Sequence, residues 1–284
     1  FSTMLLSGTG LTLEKVLADN ASYTRHSIYY YSNNTKVSGI MNIPKGEGPF
    51  PLLILNHGYI DPKIYTQGRG LKREQDYLAR QGFAVLHTDY RGHGPSDANP
   101  DPTDIADGAI GYSMDSANAI LAVREANLPT VDATKVGMFG HSMGGGVTMN
   151  IATSRPDLID AVVLYAPVNG DAWQNFLRWR ADSDEAARET LAALKTRAEN
   201  PSGWDAISYA TRLANVDDPI VLFHGTNDKD VPIAWSDALH ERLQSLGATI
   251  DYTVYRGEGH EFGSYWNDFM AKTADFFGRT LRKQ

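Results

Sequence analysis

Residues 135–154 read KVGMFGHSMGGGVTMNIATS. An apolar run, 135–139, meets Gly140-His141-Ser142-Met143-Gly144, and beyond Gly145 and Gly146 the stretch 147–154 has helical spacing. A G-x-S-x-G pentapeptide alone would arise by chance in about one chain in seven of this length. Its flanks give it meaning. A tight strand-to-helix turn forces its central residue into strained dihedrals and leaves no room for side chains two positions to either side. Gly140 and Gly144 meet that demand. The turn would lift the Ser142 hydroxyl above the C-terminal edge of a sheet and set the Met143 amide at a helix N-terminus, where it can donate to an oxyanion.

Working outward, the apolar runs 52–56 (LLILN) and 83–88 (FAVLHT) resemble 135–139 in lacking polar alternation, as strands buried on both faces do. Helical patterns at 71–81 and 114–126 separate them, with Gly82 as a stop for the first. Strands at 160–165, 219–224 and 249–255 and helices at about 233–246 and 264–281 continue the alternation. Earlier in the chain, 25–31 and 36–43 flank the polar turn Ser32-Asn33-Asn34-Thr35 and read as an antiparallel hairpin opening the sheet. The expectation is an α/β fold in one domain spanning 1–284: a mostly parallel, eight-stranded sheet with helices on both faces.

Residues 169–215 break the rhythm, with helical segments and no convincing strand. Asp182 and Glu185 have capping-box spacing, and Ala187, Leu191, Leu194 and Ala198 recur at helical intervals. We read this stretch as an inserted helical cap. Its aromatics, Trp173, Phe176 and Trp179, either lean over a pocket or bind the insert to the main body. The turn-rich run Pro95–Pro102 reads as a surface loop.

The 284 residues carry a formal net charge of −8, which would repel a phosphate backbone, so nucleic acid is not an expected partner. With no cysteine, thiol catalysis, disulfides and Cys-ligated zinc are excluded. No apolar run approaches the ~18–20 residues of a membrane span, and a soluble chain is expected. The start at Phe1 rather than Met points to an upstream piece processed or omitted, a lean toward a secreted or periplasmic protein, although no signal-peptide pattern is visible. The sequence has no GxxxxGK[ST], HExxH or post-strand GxGxxG motif, so neither metal nor cofactor is expected.

A serine hydroxyl needs a base within hydrogen-bond reach, itself held by an acid. After the strand at 219–224 come Asp228 and Asp230, of which Asp228, first past the strand end, is the expected acid while Asp230 faces solvent or braces the loop. After 249–255 comes Gly257-Glu258-Gly259-His260, whose histidine sits in a strand-end loop and is the expected base. His26, His87, His224 and His240 lie in or beside regular elements and read as structural. A second oxyanion donor is expected from Asn56-His57-Gly58-Tyr59, where Gly58 permits a tight turn and the Tyr59 amide can face the site, with His57 organising the loop.

These motifs, together with Asp89-Tyr90-Arg91-Gly92-His93-Gly94-Pro95-Ser96, resemble the prolyl-oligopeptidase-like α/β-hydrolases, over about residues 25–280. The resemblance implies the α/β-hydrolase fold and a triad at Ser142, Asp228 and His260, with oxyanion amides at Tyr59 and Met143. It also implies a site-shaping role for the Arg91–Ser96 loop. Single-domain relatives include carboxylesterases and feruloyl esterases, whereas true oligopeptidases add a β-propeller for which no region here is long enough. The expected activity is therefore cleavage of small-molecule carboxylic esters through an acyl-enzyme, with Trp173, Phe176, Trp179 and Trp266 as candidate substrate contacts for an apolar or aromatic acyl group. Competing readings are a small aminopeptidase or acyl-peptide hydrolase, a cutinase-like polyester hydrolase, and a non-catalytic binding protein on the same fold.

Overall fold

The polar turn between the first two expected strands is formed by Asn33 and Asn34, both at positive φ (47° and 71°), and it closes the hairpin of β2 (Tyr23–Ser32) and β3 (Thr35–Pro44). Positive φ at both central residues gives a turn whose twist matches the strands it joins. A computed structural model of the chain describes residues 5–99, 109–182 and 184–282. Among these residues the sheet has nine strands, not eight, in the order β1-β2-β3-β5-β4-β6-β7-β8-β9. The additional strand, β1 (Gly8–Asp19), pairs antiparallel with β2 at the sheet edge. Three register shifts interrupt the pairing, and most of its residues are exposed, so the chain carries no clean two-residue alternation there.

From β5 (Ala84–Thr88) across β4 (Phe50–Asn56), β6 (Val131–His141), β7 (Ala161–Tyr165), β8 (Ile220–Gly225) and β9 (Ile250–Tyr255) every pairing is parallel. Successive residues of the central strands enter opposite cores. Leu52, Ile54, Val162 and Leu164 join α2 (Ala109–Ala126) and α3 (Met143–Ser154), while Leu53, Leu55, Val163 and Tyr165 join α1 (Lys72–Arg80) and α8 (Trp266–Leu281). Both faces need apolar residues, which is why these strands read as unbroken apolar runs.

Between β7 and β8 lie α4 (Ala172–Trp179), α5 (Asp184–Leu194), α6 (Pro201–Ile207) and a 3₁₀ segment, Tyr209–Asn215. The helical periodicity through Ala198 is cut short: α5 ends at Leu194 and Lys195 takes φ 56°. Helix α7 (Ile233–Ser245) joins β8 to β9. Of the turn-rich run at 95–102, the part from Pro100 lies outside the described residues. No described helix is long and apolar enough to cross a membrane.

Candidate active site

Ser142 stands between β6 and α3 with φ 56° and ψ −122°, a conformation that costs a non-glycine residue energy unless its surroundings hold it. Three backbone hydrogen bonds do so: its amide donates to Tyr165 O at 2.9 Å, and its carbonyl accepts from Gly145 N at 2.9 Å and Val168 N at 3.2 Å. A Cβ at position 140 would run into the Gly144 carbonyl, and one at 144 into the Asn56 carbonyl. The glycines at those two positions are thus demanded by the approach of α3 to β6 and to the end of β4.

The end of β4 carries the second half of this arrangement. Asn56, fully buried, donates from Nδ2 to Thr148 Oγ1 at 2.8 Å and accepts from Ser116 Oγ at 2.6 Å, which ties the loop to α3 and α2. His57 stacks against Tyr65 and His87, and its Nδ1 lies 2.7 Å from Gly58 O. Burial lowers its pKa to about 3, so it remains neutral at physiological pH and organises the loop, as expected from sequence. Among the described residues, neither the Tyr59 amide nor the Met143 amide donates to a protein acceptor, and both residues line the same cavity as Ser142.

Asp228 and His260 come together from two strand-end loops. His260 Nδ1 lies 2.8 Å from Asp228 Oδ2, while Asp228 Oδ1 accepts from the amides of Asp230 and Val231, each at 2.9 Å. His224 Nε2, fully buried, lies 3.1 Å from Asp228 Oδ2, and its Nδ1 is 2.7 Å from Ser236 Oγ. Burial by itself would raise the Asp228 pKa; the hydrogen bonds with His224, His260 and the Val231 amide outweigh it and hold the carboxyl well below its ordinary range. His141 meets His260 from the other side. The rings lie 4.6 Å apart and His141 Nε2 is 3.0 Å from the His260 carbonyl, a bond His141 donates in its Nε2–H tautomer. Burial lowers the His141 pKa to about 3, which keeps a second imidazolium away from His260. Glu258 braces the same loop by accepting from the Gly263 and Tyr265 amides, each at 2.7 Å.

Ser142 and His260 face one cavity of about 1010 Å³, although no hydrogen bond joins their side chains among the described residues. Catalytic hydrogen bonds often tighten only once substrate is bound. Of the four aromatic residues expected to contact substrate, Phe176 and Trp179 line the cavity; Trp173 and Trp266 do not. Trp173 stacks on Phe176 and packs edge-on against Trp204, joining α4 to α6. Trp266 turns toward α1, packs on Tyr77 and donates from Nε1 to Glu74 Oε1 at 2.7 Å. Glu74 and Trp204, which sequence reasoning missed, do line the cavity. Asp230 does too, rather than only facing solvent. The ligand atoms of Asp228, Asp230 and His260 lie within 4.8 Å of one another, but two of these residues are already bonded to each other, leaving a single carboxylate uncommitted.

Residues 70–284 match the family model described as the prolyl oligopeptidase family. The chain belongs to that family. This prolyl oligopeptidase family member has the α/β-hydrolase fold, and it spans less than half the length of dipeptidyl aminopeptidase BIII. It is 26% identical over 274 residues to dipeptidyl aminopeptidase BIII of Pseudoxanthomonas mexicana, covering 92% of this chain and 38% of that protein. It is 24% identical over 248 residues to the uncharacterized peptidase YtmA of Bacillus subtilis, covering 84% and 86%. In structure it resembles the acylaminoacyl peptidase of Pyrococcus horikoshii, with a TM-score of 0.75 at 19% identity, over 93% of this chain and 42% of the other. Acetyl xylan esterase 1 from Thermoanaerobacterium sp. JW/SL YS485 matches with a TM-score of 0.67 at 19% identity, over 97% and 89%. These structural likenesses establish the fold.

Proposed function

We propose that the chain is a carboxylesterase acting through an acyl-enzyme, with Ser142 as nucleophile, His260 as general base and acid, and Asp228 as the carboxylate that orients it. The observation that carries this reading is the Asp228-held His260 opening on the same cavity as Ser142 and two uncommitted amides. With Nδ1–H donated to Asp228, His260 presents a bare Nε2 that takes the Ser142 proton as Oγ attacks the ester carbonyl. The Tyr59 and Met143 amides receive the oxyanion, one such donor being worth ~2.7–4 kcal/mol of transition-state stabilisation. His260 then protonates the departing alcohol, and water, activated by the same Nε2, releases the acid.

Under this reading the helices of residues 169–215 act as a cap on a single hydrolase domain. Phe176, Trp179, Trp204, Val147 and Val168 give the cavity an aromatic and aliphatic lining suited to a medium-sized or feruloyl acyl group. Turnover of acetyl, butyryl, decanoyl and feruloyl esters beside aminoacyl anilides, with wild type and Ser142→Ala, tests it. The expected order places feruloyl and butyryl esters above decanoyl esters, anilides far below, and Ser142→Ala inactive throughout. Anilide cleavage at rates comparable to esters would favour the second reading, a small aminopeptidase, for which the dipeptidyl aminopeptidase relative speaks.

A further inference from the structure

Arg178, on α4, reaches out of the helical insert to the loop that carries Asp228. Its Nε donates to the Asp230 carbonyl at 2.6 Å and its Nη2 to the Lys229 carbonyl at 2.8 Å. Those carbonyls belong to the two peptide groups whose other ends, the Asp230 and Val231 amides, donate to Asp228 Oδ1 at 2.9 Å each. In a trans peptide the C=O and N–H point in opposite directions, so both dipoles lie between a cation at one end and a carboxylate at the other. A charge accepted at the carbonyl polarises the group and strengthens the bond its N–H makes. A planar fork that engages two neighbouring acceptors is what arginine offers and lysine does not.

We propose that Arg178 is a positioning residue for the reaction: gripping the 229–230 and 230–231 peptide groups, it fixes Asp228 and through it the imidazole of His260. The inference rests on the reading of Asp228 as the acid partner of His260. Helix α4 also presents Phe176 and Trp179 to the cavity, and Trp179 meets Trp235 of α7 edge-on with ring centroids 5.7 Å apart. One short helix therefore touches both the substrate space and the acid loop, and Arg178 is its grip on that loop.

The test compares Arg178→Met, Arg178→Lys, Arg197→Met and Asp228→Asn on p-nitrophenyl acetate, whose acyl group is too small to fill the cavity. Arg197 joins Asp171 and Asp205 within the insert at 2.8 and 2.7 Å, so its loss loosens the insert without touching the acid loop. Arg178→Met is expected to lower kcat about tenfold with KM within about twofold, and free guanidinium ion at a sub-denaturing concentration is expected to restore several-fold of the loss. Arg178→Lys, which keeps the charge and loses the fork, is expected to fall between, and carries the test should the Met variant not fold. Arg197→Met is expected to keep kcat. An unchanged kcat in both Arg178 variants, an equal loss in Arg197→Met, or no rescue by guanidinium overturns the proposal while an inactive Asp228→Asn leaves the triad reading standing. A fully active Asp228→Asn overturns the triad reading and this inference with it.

Discussion

Replacing Asp228 by asparagine changes one atom and tests how the base is held. The Asp228 oxygen facing the Asp230 and Val231 amides accepts two hydrogen bonds of 2.9 Å. Turning the amide round would leave both amides facing an NH₂, at about 1–3 kcal/mol for each unpaired donor. The asparagine oxygen therefore stays at that site, and its NH₂ occupies the position 2.8 Å from His260 Nδ1. An NH₂ donates and does not accept, so Nδ1 must become the acceptor and the proton moves to Nε2, where it blocks removal of the Ser142 proton. The expected loss in kcat/KM is about 10⁴-fold, or roughly 5 kcal/mol of transition-state stabilisation. His224 can keep its bond to the Val231 carbonyl at 3.1 Å, so the loop is expected to hold its shape. Steady-state kinetics on p-nitrophenyl butyrate, with Ser142→Ala as baseline and circular dichroism as fold control, read the effect. A loss below about tenfold in a folded variant would refute the tautomer argument.

Because the folded Asp228 carboxyl sits below the ~3.9 of a free aspartate, the unfolded chain binds more protons in acid. Its contribution to stability is complete above about pH 4 and is lost as pH falls further; urea midpoints at about pH 3 and 5 should differ less in Asp228→Asn than in wild type. His141→Phe keeps a ring against His260 and Tyr165 but removes the donor to the His260 carbonyl; a stability loss of about 1 kcal/mol by thermal unfolding and a clear fall in kcat are expected. Trp204, on α6, is 1% exposed, so Trp204→Ala is expected to cost about 3–5 kcal/mol in urea denaturation. The same variant should raise KM for feruloyl esters and leave that for acetyl esters nearly unchanged.

The positions of Ser142, Asp228 and His260 were legible because each is announced by local chemistry: a glycine-bounded turn after an apolar run, or a polar loop at the end of one. The sheet was legible for a similar reason, since strands buried on both faces cannot hide their composition. What escaped depends on distant partners. Strand β1 lies at an edge with an interrupted register, so burial imposes no alternation on it. Trp266 is six residues past His260, yet it opens α8 and turns toward Glu74 on α1, a direction no sequence spacing encodes. The contacts of His224 in β8 with Asp228 and with Ser236 of α7, and of Glu258 with the amides after His260, depend on how strand, helix and loops fold against one another. Trp204 sits on α6, one of several short helices between β7 and β8 that are arranged by packing rather than by propensity.

The account turns on a single activated hydroxyl. Incubation with a fluorophosphonate, followed by peptide mapping of the intact adduct, locates that group directly. Stoichiometric modification of Ser142, abolished in Ser142→Ala and strongly slowed in Asp228→Asn, is the expected result. An adduct on another residue, or ester hydrolysis undiminished in Ser142→Ala, would contradict it.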